Sequence, residues 1–226
     1  MDGLLLVDKP TGWTSFDVVG KVRSLIKQAT GQKIKVGHTG TLDPAATGLL
    51  ILVLGSYTKR AGELSKLDKV YEALLTLGST SSTADSEGKI EQKSTHQPTQ
   101  LEVKNVLNKF VGETQQTPPA FSAIKVGGQR AYKLARAGQP VELEARKVTI
   151  YSLENVKYDY PKLTFTTHVS SGTYIRSLAQ DIGEQLSTGA YLSALRRTKV
   201  GQFDTKDAIT IEDLATKLEP SLQKLP

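Results

Sequence analysis

The apolar positions of the N-terminal third form short continuous runs separated by one stretch of helical spacing. The run GLLLVDKP (3–10) predicts a strand that ends at a lysine–proline turn. Apolar residues on one face of 18–26 predict a helix, which Thr14 or Ser15 can cap. The run LLILVLG (49–55) is short and continuous, which favours a buried strand over a helix.

The rest of the chain predicts strands and helices at irregular spacing. A Gly-Gly turn at 127–128 separates a strand from a helix with basic side chains, and a second short apolar helix is predicted around Leu192 and Leu195. Strands interrupted irregularly by helices argue against a doubly wound βαβ pattern and predict the α+β class, with a single domain over 1–226. The remaining strands are predicted in 69–78, 147–158 and 162–170, and the remaining helices in 101–110 and 172–186.

The segment GHTGTLDPAATG (37–48) interrupts this pattern. Three glycines and one proline in twelve residues exclude a helix or strand through its middle, so we predict a shaped loop. Asp43 has two interpretations at this stage. It can cap a helix that starts at Pro44, or it can hold a carboxylate toward a substrate, because Pro44 pushes it into an extended conformation.

Composition places the chain among ordinary globular proteins, with 38% hydrophobic and 23% charged residues. No apolar run approaches the roughly 20 residues of a membrane helix, and the N-terminus lacks the features of a signal peptide, so we expect a cytoplasmic protein without membrane contact. The chain has no cysteine, and its three histidines, His38, His96 and His168, are widely separated. We therefore expect no metal site.

Charge is the one compositional feature that points to a partner. The net charge is +6 and the pI is near 9.3. The segment 121–147 holds six cations against two anions. A local excess of this kind indicates a polyanionic partner, although a solvated lysine-rich surface would have the same composition.

Six blocks, in the same order along the chain, resemble the catalytic domain of the TruB family, the bacterial tRNA pseudouridine-55 synthases. The match covers about residues 3–203. It implies a mixed, largely antiparallel sheet flanked by helices. Because the match ends near the end of the sequence, we expect no C-terminal PUA-like RNA-binding domain of the kind that most relatives carry. The blocks are GLLLVDKPTGWTS, GHTGTLDPAATGLL, YEALLTLGSTSSTADSEG, PPAFSAIKVGGQRAYKLARAG, VSSGTYIRSLAQDIG and LRRTKVGQF.

The resemblance implies a role for individual residues. Asp43 matches the catalytic aspartate, Tyr71 the tyrosine that stacks on the target uracil, and Arg176 the arginine that pairs with the aspartate. From the residues alone, a tyrosine in an alternating strand such as Tyr71 is more often core packing, and Arg176 could be a surface ion-pair residue. His38 matches the histidine that enters the space left by extruded nucleotides. Tyr174 and Leu195 match residues that line the uridine pocket.

The implied reaction is conversion of uridine to pseudouridine in the T-loop of tRNA by base flipping. Asp43 could attack ribose C1′ or remove the 2′ proton, and the sequence leaves both routes open. No cofactor, metal or obligate protein partner is expected, and a monomer is expected. The alternatives are a guide-RNA-dependent synthase and a non-catalytic tRNA-binding module. Residues 119–147 match a mobile loop that closes over RNA, and the predicted RNA-contacting cations are Lys125, Arg130, Lys133, Arg136, Arg196, Arg197 and Lys199.

Overall fold

The structure is a computed structural model that describes residues 1–217 and 222–223. The helices in this part of the chain are α1 (Ser15–Thr30), α2 (Ala61–Ser65), α3 (Gln100–Phe110), α4 (Ala131–Arg136), α5 (Ile175–Gln185) and α6 (Leu214–Lys217). The strands described are β1 (Gly3–Lys9), β2 (Val36–His38), β3 (Thr47–Leu54), β4 (Lys69–Leu77), β5 (Ser79–Ser81), β6 (Ile90–Gln92), β7 (Gly112–Gln116), β8 (Lys125–Val126), β9 (Gln129–Arg130), β10 (Arg146–Asp159), β11 (Lys162–Val169), β12 (Ala190–Val200), β13 (Phe203–Asp204), β14 (Ile209–Thr210) and β15 (Leu222–Gln223).

The chain divides into two compact units. The first unit is formed by Met1–Tyr71 together with the chain from Leu195 onward, and the second by Glu72–Ala194. Both boundaries fall inside strands, β4 and β12, so no linker marks the division along the sequence. The predicted class, α+β with a mixed and largely antiparallel sheet flanked by helices, is confirmed.

In the first unit the strand order is β14, β1, β3 and β12. Strands β1 and β3 are antiparallel from the pair Gly3 and Leu54 to the pair Lys9 and Gly48. Strand β12 runs parallel to β3, with Arg196 opposite Thr47. Nearly every side chain of β1 and β3 is buried, which explains why both appear in the sequence as continuous apolar runs rather than as alternating patterns.

Helix α1 begins as its sequence predicts. Thr14 is the N-cap: its hydroxyl accepts from the Asp17 N–H, and the Asp17 carboxylate accepts from the Thr14 N–H, which completes a capping box. Val18, Val22 and Ile26 lie on its buried face. The first turn of this helix is therefore stabilised by hydrogen bonds between its own residues.

In the second unit the strand order is β4, β11, β10 and β7, with β10 antiparallel to both of its neighbours. Strands β4 and β11 bury alternate side chains, as expected of strands with one face toward the core. Helices α3 and α5 pack in this unit, and α3 contacts both β7 and β10. Two short pairs, β5 with β6 and β8 with β9, complete the unit.

One predicted element is wrong. The apolar helix predicted around Leu192 and Leu195 is the strand β12. Ala190 and Leu192 are buried whereas Tyr191 and Ser193 are less so, and two leucines three positions apart cannot by their spacing alone distinguish such a strand from a helix. Among the described residues, no helix has the length and apolar character needed to cross a membrane.

Candidate active site

The loop that contains Asp43 joins β2 to β3. Its ends belong to these strands, whereas Thr39–Ala46 has no regular secondary structure, which confirms the predicted loop. The Asp43 carbonyl accepts from the Ala46 N–H at 3.1 Å and closes a turn over Asp43–Ala46. Because no helix follows Pro44, the interpretation of Asp43 as a helix N-cap is wrong.

A fully buried lysine ties this loop to the end of β1. The Lys9 ammonium donates to the carbonyl oxygens of Trp13 at 2.7 Å, Pro10 at 2.9 Å and Pro44 at 3.3 Å. The Gly12 N–H donates to the same Pro44 carbonyl at 2.9 Å. An ammonium offers three donors, and here all three meet main-chain acceptors. The residue after Asp43 is therefore fixed against the turn that follows β1.

The residue before Asp43 is fixed by helix α1. The Ser15 hydroxyl donates to the Leu42 carbonyl at 3.1 Å and accepts from the Leu42 N–H at 2.9 Å. Both residues are buried. The capping box at Thr14 holds the same helical turn from the other side. Asp43 thus lies between two anchored neighbours, and its backbone is pre-organised.

Arg197 anchors both ends of the loop. Its Nε donates to the Leu49 carbonyl at 2.8 Å and its Nη2 to the Gly40 carbonyl at 3.0 Å. Gly48 has φ +100°, and a Cβ there would lie 2.3 Å from the Arg197 carbonyl oxygen. Arg197 is only 2% exposed. The prediction that it contacts RNA as a surface cation is therefore wrong, because its guanidinium is buried and donates to two main-chain carbonyls.

The two cations beside Arg197 in sequence lie nearer to solvent. Arg196 forms a forked pair with Asp8, with Nη1 to Oδ1 at 3.0 Å and Nη2 to Oδ2 at 2.7 Å. Lys199 is exposed and lies 3.5 Å from an Asp204 carboxylate oxygen. Both can reach RNA only by sharing or exchanging these partners, so their predicted RNA contacts stay predictions.

His38 lies at the start of the loop, half-buried. Burial, with the nearby Arg197 charge as a second cause, lowers the pKa of the imidazole, so His38 is neutral at neutral pH. Its Nδ1 is buried without a hydrogen-bond partner. The ring meets that of Phe16 edge to face, with 6.2 Å between centroids and 85° between planes.

Tyr71 and Leu195 also belong to the first unit. Tyr71 is 8% exposed and lies on β4 two residues after Lys69. The Lys69 ammonium donates to the Ser65 carbonyl at 2.6 Å and to the Leu67 carbonyl. Burial, together with the Arg197 charge, lowers the Lys69 pKa to about 8. Leu195 is partly exposed on β12.

In the second unit, Arg176 belongs to a buried polar cluster. Its Nη1 lies 3.4 Å from the Asp85 Oδ2 and donates to the Thr83 carbonyl at 3.3 Å, and its Nη2 donates to the Phe121 carbonyl at 2.8 Å. The Asp85 Oδ1 accepts from the Thr83 hydroxyl at 2.5 Å and from the Glu87 N–H at 3.0 Å. Arg176 is 5% exposed, so the interpretation as a surface ion-pair residue is wrong.

Tyr174 is also positioned by its own unit. The Gln116 side chain brackets its backbone, with Nε2 donating to the Tyr174 carbonyl at 3.0 Å and Oε1 accepting from the Tyr174 N–H at 2.8 Å. The Arg146 guanidinium lies 4.9 Å from the centre of the Tyr174 ring, a cation–π distance. The ring and the backbone of Tyr174 are thus constrained independently.

The exposed cations predicted to contact RNA in 121–147 lie on the β8–β9 hairpin and on α4. They are Lys125, Arg130, Lys133 and Arg136. The Arg130 guanidinium donates to the Ala123 carbonyl, and the Arg136 guanidinium lies 5.8 Å from the centre of the Tyr132 ring. Lys133 has no anion within the same helix. These side chains remain exposed, as an RNA-contacting segment requires, but their role stays a prediction.

Sequence reasoning missed several of these positioning residues. Asp85 lies in a polar stretch that gave no indication of burial. Lys9 lies at the end of the apolar run 3–10, which was the only indication that its side chain is buried. Gln116 gave no signal, and Ser15 was predicted only as an alternative cap of α1, because the sequence does not show the distant partner of an amide or a hydroxyl. The predicted pairing of Arg176 with Asp43 stays a prediction.

Comparison with known proteins identifies the family. The sequence model of the TruB family pseudouridylate synthase N-terminal domain matches residues 27–175. The chain belongs to the TruB family of pseudouridylate synthases. The model of the tRNA pseudouridylate synthase B C-terminal domain matches residues 176–224 of this TruB chain.

Curated relatives of this TruB chain carry the name tRNA pseudouridine synthase B. The protein from Flavobacterium johnsoniae is 43% identical over 97% of this chain and 96% of its own length. The protein from Clostridium perfringens strain 13 is 47% identical over 96% of this chain and 73% of its own length. That from Pseudomonas fluorescens is 46% identical over 95% of this chain and 68% of its own.

Solved structures with the same fold belong to larger chains. A Cbf5-Nop10-Gar1 complex contains a chain that is 29% identical, with a TM-score of 0.74, over 98% of this chain and 57% of that one. An H/ACA RNP bound to a substrate RNA containing 2′-deoxyuridine contains another at 27% identity and a TM-score of 0.70, over 98% of this chain and 56% of that one. This TruB chain therefore spans little more than half of those chains.

Proposed function

We propose that this pseudouridylate synthase acts on tRNA and converts the uridine at position 55 of the T-loop, with Asp43 as the catalytic carboxylate. The observation that carries the proposal is the set of hydrogen bonds by which buried side chains anchor the loop around Asp43. Lys9, Ser15 and Arg197 bind main-chain groups at Pro44, Leu42, Gly40 and Leu49. A reactive group needs such pre-organisation, because a displacement of about 1 Å can cost 100-fold in rate.

The reaction exchanges one bond to ribose C1′ for another. The bond from C1′ to N1 breaks, the uracil turns, and C1′ bonds to C5. C5 loses its proton and N1 gains one, so the product is an isomer of the substrate and no net oxidation occurs. The Asp43 carboxylate either attacks C1′ and is released when C5 bonds there, or removes the 2′ proton to give a glycal and returns that proton to C2′ when C5 bonds to C1′. Both routes require the ionised carboxylate.

The other predicted residues keep their predicted roles in this proposal. Tyr71 stacks on the target uracil and its hydroxyl is available for the proton at C5. Tyr174 and Leu195 line the uridine pocket. Arg176 supports the ionised state of the catalytic carboxylate, as a cation near a carboxyl group does. The anchoring of Tyr174 by Gln116 and of Arg176 by Asp85 is consistent with roles that need fixed geometry.

Base flipping is part of the proposal because the target lies inside a folded loop. Extrusion of a base costs a few kcal/mol of unstacking. His38 suits the vacated space, since a neutral imidazole can stack and can also accept or donate a hydrogen bond. Its buried Nδ1 without a partner offers one such group.

The proposal is tested on an unmodified tRNA transcript. Incubation with the protein, followed by carbodiimide labelling and primer extension, maps pseudouridine at nucleotide resolution. We expect a single strong stop at position 55, and none in a transcript with cytidine there. Modification elsewhere, or none at 55, would overturn the assigned target.

The same assay separates the alternatives. A guide-RNA-dependent synthase is the second candidate, favoured by the likeness to a chain from an H/ACA RNP bound to a substrate RNA. Such an enzyme would leave the transcript unmodified until a guide RNA is added. A non-catalytic tRNA-binding module would bind the transcript and modify nothing under either condition.

A further inference from the structure

Phe16 is the most exposed large apolar side chain of the described residues, at 67% exposure. Single exposed apolar residues are common on protein surfaces, so exposure alone indicates nothing. The position of Phe16 is what distinguishes it. It is the second residue of α1, in the helical turn that anchors the Asp43 loop.

Two hydrogen bonds attach this helical turn to the loop that contains Asp43. Phe16 directly follows Ser15, whose hydroxyl makes two hydrogen bonds to Leu42, and Leu42 directly precedes Asp43. The capping box between Thr14 and Asp17 encloses Phe16 on both sides. Hydrogen bonds therefore connect the helical turn that carries Phe16 directly to the residue before Asp43.

The second observation is the aromatic neighbour. The Phe16 ring meets His38, at the start of the same loop, edge to face at 6.2 Å. This contact supports one edge of the ring and leaves two thirds of the residue exposed to solvent. Helix, loop and imidazole together hold an open aromatic face beside the proposed catalytic loop.

We propose that Phe16 is a stacking platform for an unpaired nucleobase of the RNA substrate. Proteins bind single-stranded RNA largely by stacking bases on aromatic rings, and every base has a π face that fits. A base that has lost its neighbour when the uridine is extruded needs a replacement surface, and Phe16 supplies one. This role rests on the proposed function, since it requires an RNA substrate at the Asp43 loop.

The chain contains a closely matched control residue. Leu101 is the second residue of α3, it is 66% exposed, and it lies inside a capping box formed by Thr99 and Glu102. It differs in being aliphatic and in belonging to the second unit. Phe16→Ala and Leu101→Ala therefore remove similarly exposed apolar side chains from the same helical position.

The experiment measures the dissociation constant and the single-turnover rate for an unmodified tRNA transcript. We expect Phe16→Ala and Phe16→Leu to raise the dissociation constant about 5- to 100-fold, because each aromatic–base stack contributes roughly that factor. Phe16→Tyr should stay within about twofold of wild type, since the π face remains. Leu101→Ala should match wild type, and the saturated rate should change less than binding in all variants.

A spectroscopic signal tests stacking directly. In Phe16→Trp, saturating transcript should quench the new indole fluorescence, and the wild type, which has only Trp13, serves as the blank. Phe16→Leu binding within twofold of wild type, equal losses in Phe16→Leu and Phe16→Tyr, or an unquenched Phe16→Trp would each overturn the stacking role. Absence of pseudouridine with the wild-type protein would instead overturn the proposed function.

Discussion

Buried cations that bind main-chain carbonyls are the dominant residue-scale feature of the site. Lys9, Arg197 and Arg176 are each at most 5% exposed, and all donate to backbone oxygens. Burying a charge is costly unless its donors are satisfied. A cation that satisfies several carbonyls at once can, however, cross-link loops that have no regular hydrogen bonding of their own. The Asp43 loop depends on two such cross-links.

Arg197→Lys tests this cross-link. An ammonium is a point charge and cannot reproduce the planar fork that reaches both Gly40 and Leu49. We expect the free energy of unfolding to fall by about 2 kcal/mol, because at least one buried carbonyl loses its donor. Urea denaturation gives the value.

Arg196→Lys is the matched control on the same strand. Its pair with Asp8 is partly exposed, so the loss should stay below about 1 kcal/mol. Equal losses for the two variants would show that Arg197 has no special role in anchoring the loop.

The sequence could reveal the loop but not the difference between these neighbouring arginines. Glycine and proline restrict the backbone locally, so the shape of 37–48 was predictable from its own residues. Successive residues of a strand point to opposite faces, so recognition of β12 would have placed one arginine inward. Because a helix was predicted around Leu192 and Leu195, the alternation of a strand was not considered, and both arginines were predicted to lie on the surface.

At the scale of elements, the parallel pairing of β3 with β12 depends on Gly48. Gly48→Ala should lower the free energy of unfolding by more than about 2 kcal/mol, since φ is +100° and the new methyl group would meet the Arg197 backbone. Gly20→Ala, inside α1 with open space around it, should instead raise stability by about 0.5–1 kcal/mol. Chemical denaturation of both variants measures the contrast. The same sign for both would contradict the close approach.

Helix α5 carries a titrating group outside the proposed site. Burial, and secondarily Glu184, raises the pKa of Asp181 to about 6. An acid with a raised pKa favours the folded state below its unfolded pKa of 3.8, and this contribution is lost as the pH rises through 6. Asp181 faces a groove that Lys109 and Glu184 also line.

Asp181→Asn should therefore stabilise the protein at pH 7–8 by about 1 kcal/mol, less than the full shift implies because the carboxyl group is partly exposed. The advantage should vanish below about pH 4. Thermal unfolding across a pH series measures it, with the exposed Asp207→Asn as control. A constant advantage at all pH values would refute the raised pKa.

The sequence predicted the strands of both units but not the polar cluster that the second unit buries. Continuous apolar runs identified β1 and β3, and alternation identified β4 and β11, because burial pattern is a local property. The Asp85–Arg176 cluster was not predictable, since its two charges are 91 positions apart and only the fold brings them together. Residues whose function is to hold other residues leave little trace in local sequence.

At the scale of the whole molecule, the net charge of +6 predicts salt-sensitive RNA binding. The slope of log affinity against log salt is negative, and replacement of Arg130, Lys133 and Arg136 by glutamine should make it less steep by about 0.7–0.9 for each phosphate that the variant no longer neutralises. Replacement of Lys21, Lys27 and Lys33 by glutamine removes the same charge and should leave the slope unchanged. Equal effects of the two triple variants would show that net charge, and not the segment 121–147, determines binding.

A single-turnover measurement tests most directly whether the Asp43 carboxylate performs the chemistry. The transcript carries tritium at C5 of uridine, and release of tritium reports the loss of the C5 proton during isomerisation. Asp43→Asn preserves shape, so we expect transcript binding within about threefold of wild type and tritium release slower by at least about 1,000-fold. Release within tenfold of the wild-type rate would contradict the assignment of Asp43 as the catalytic carboxylate.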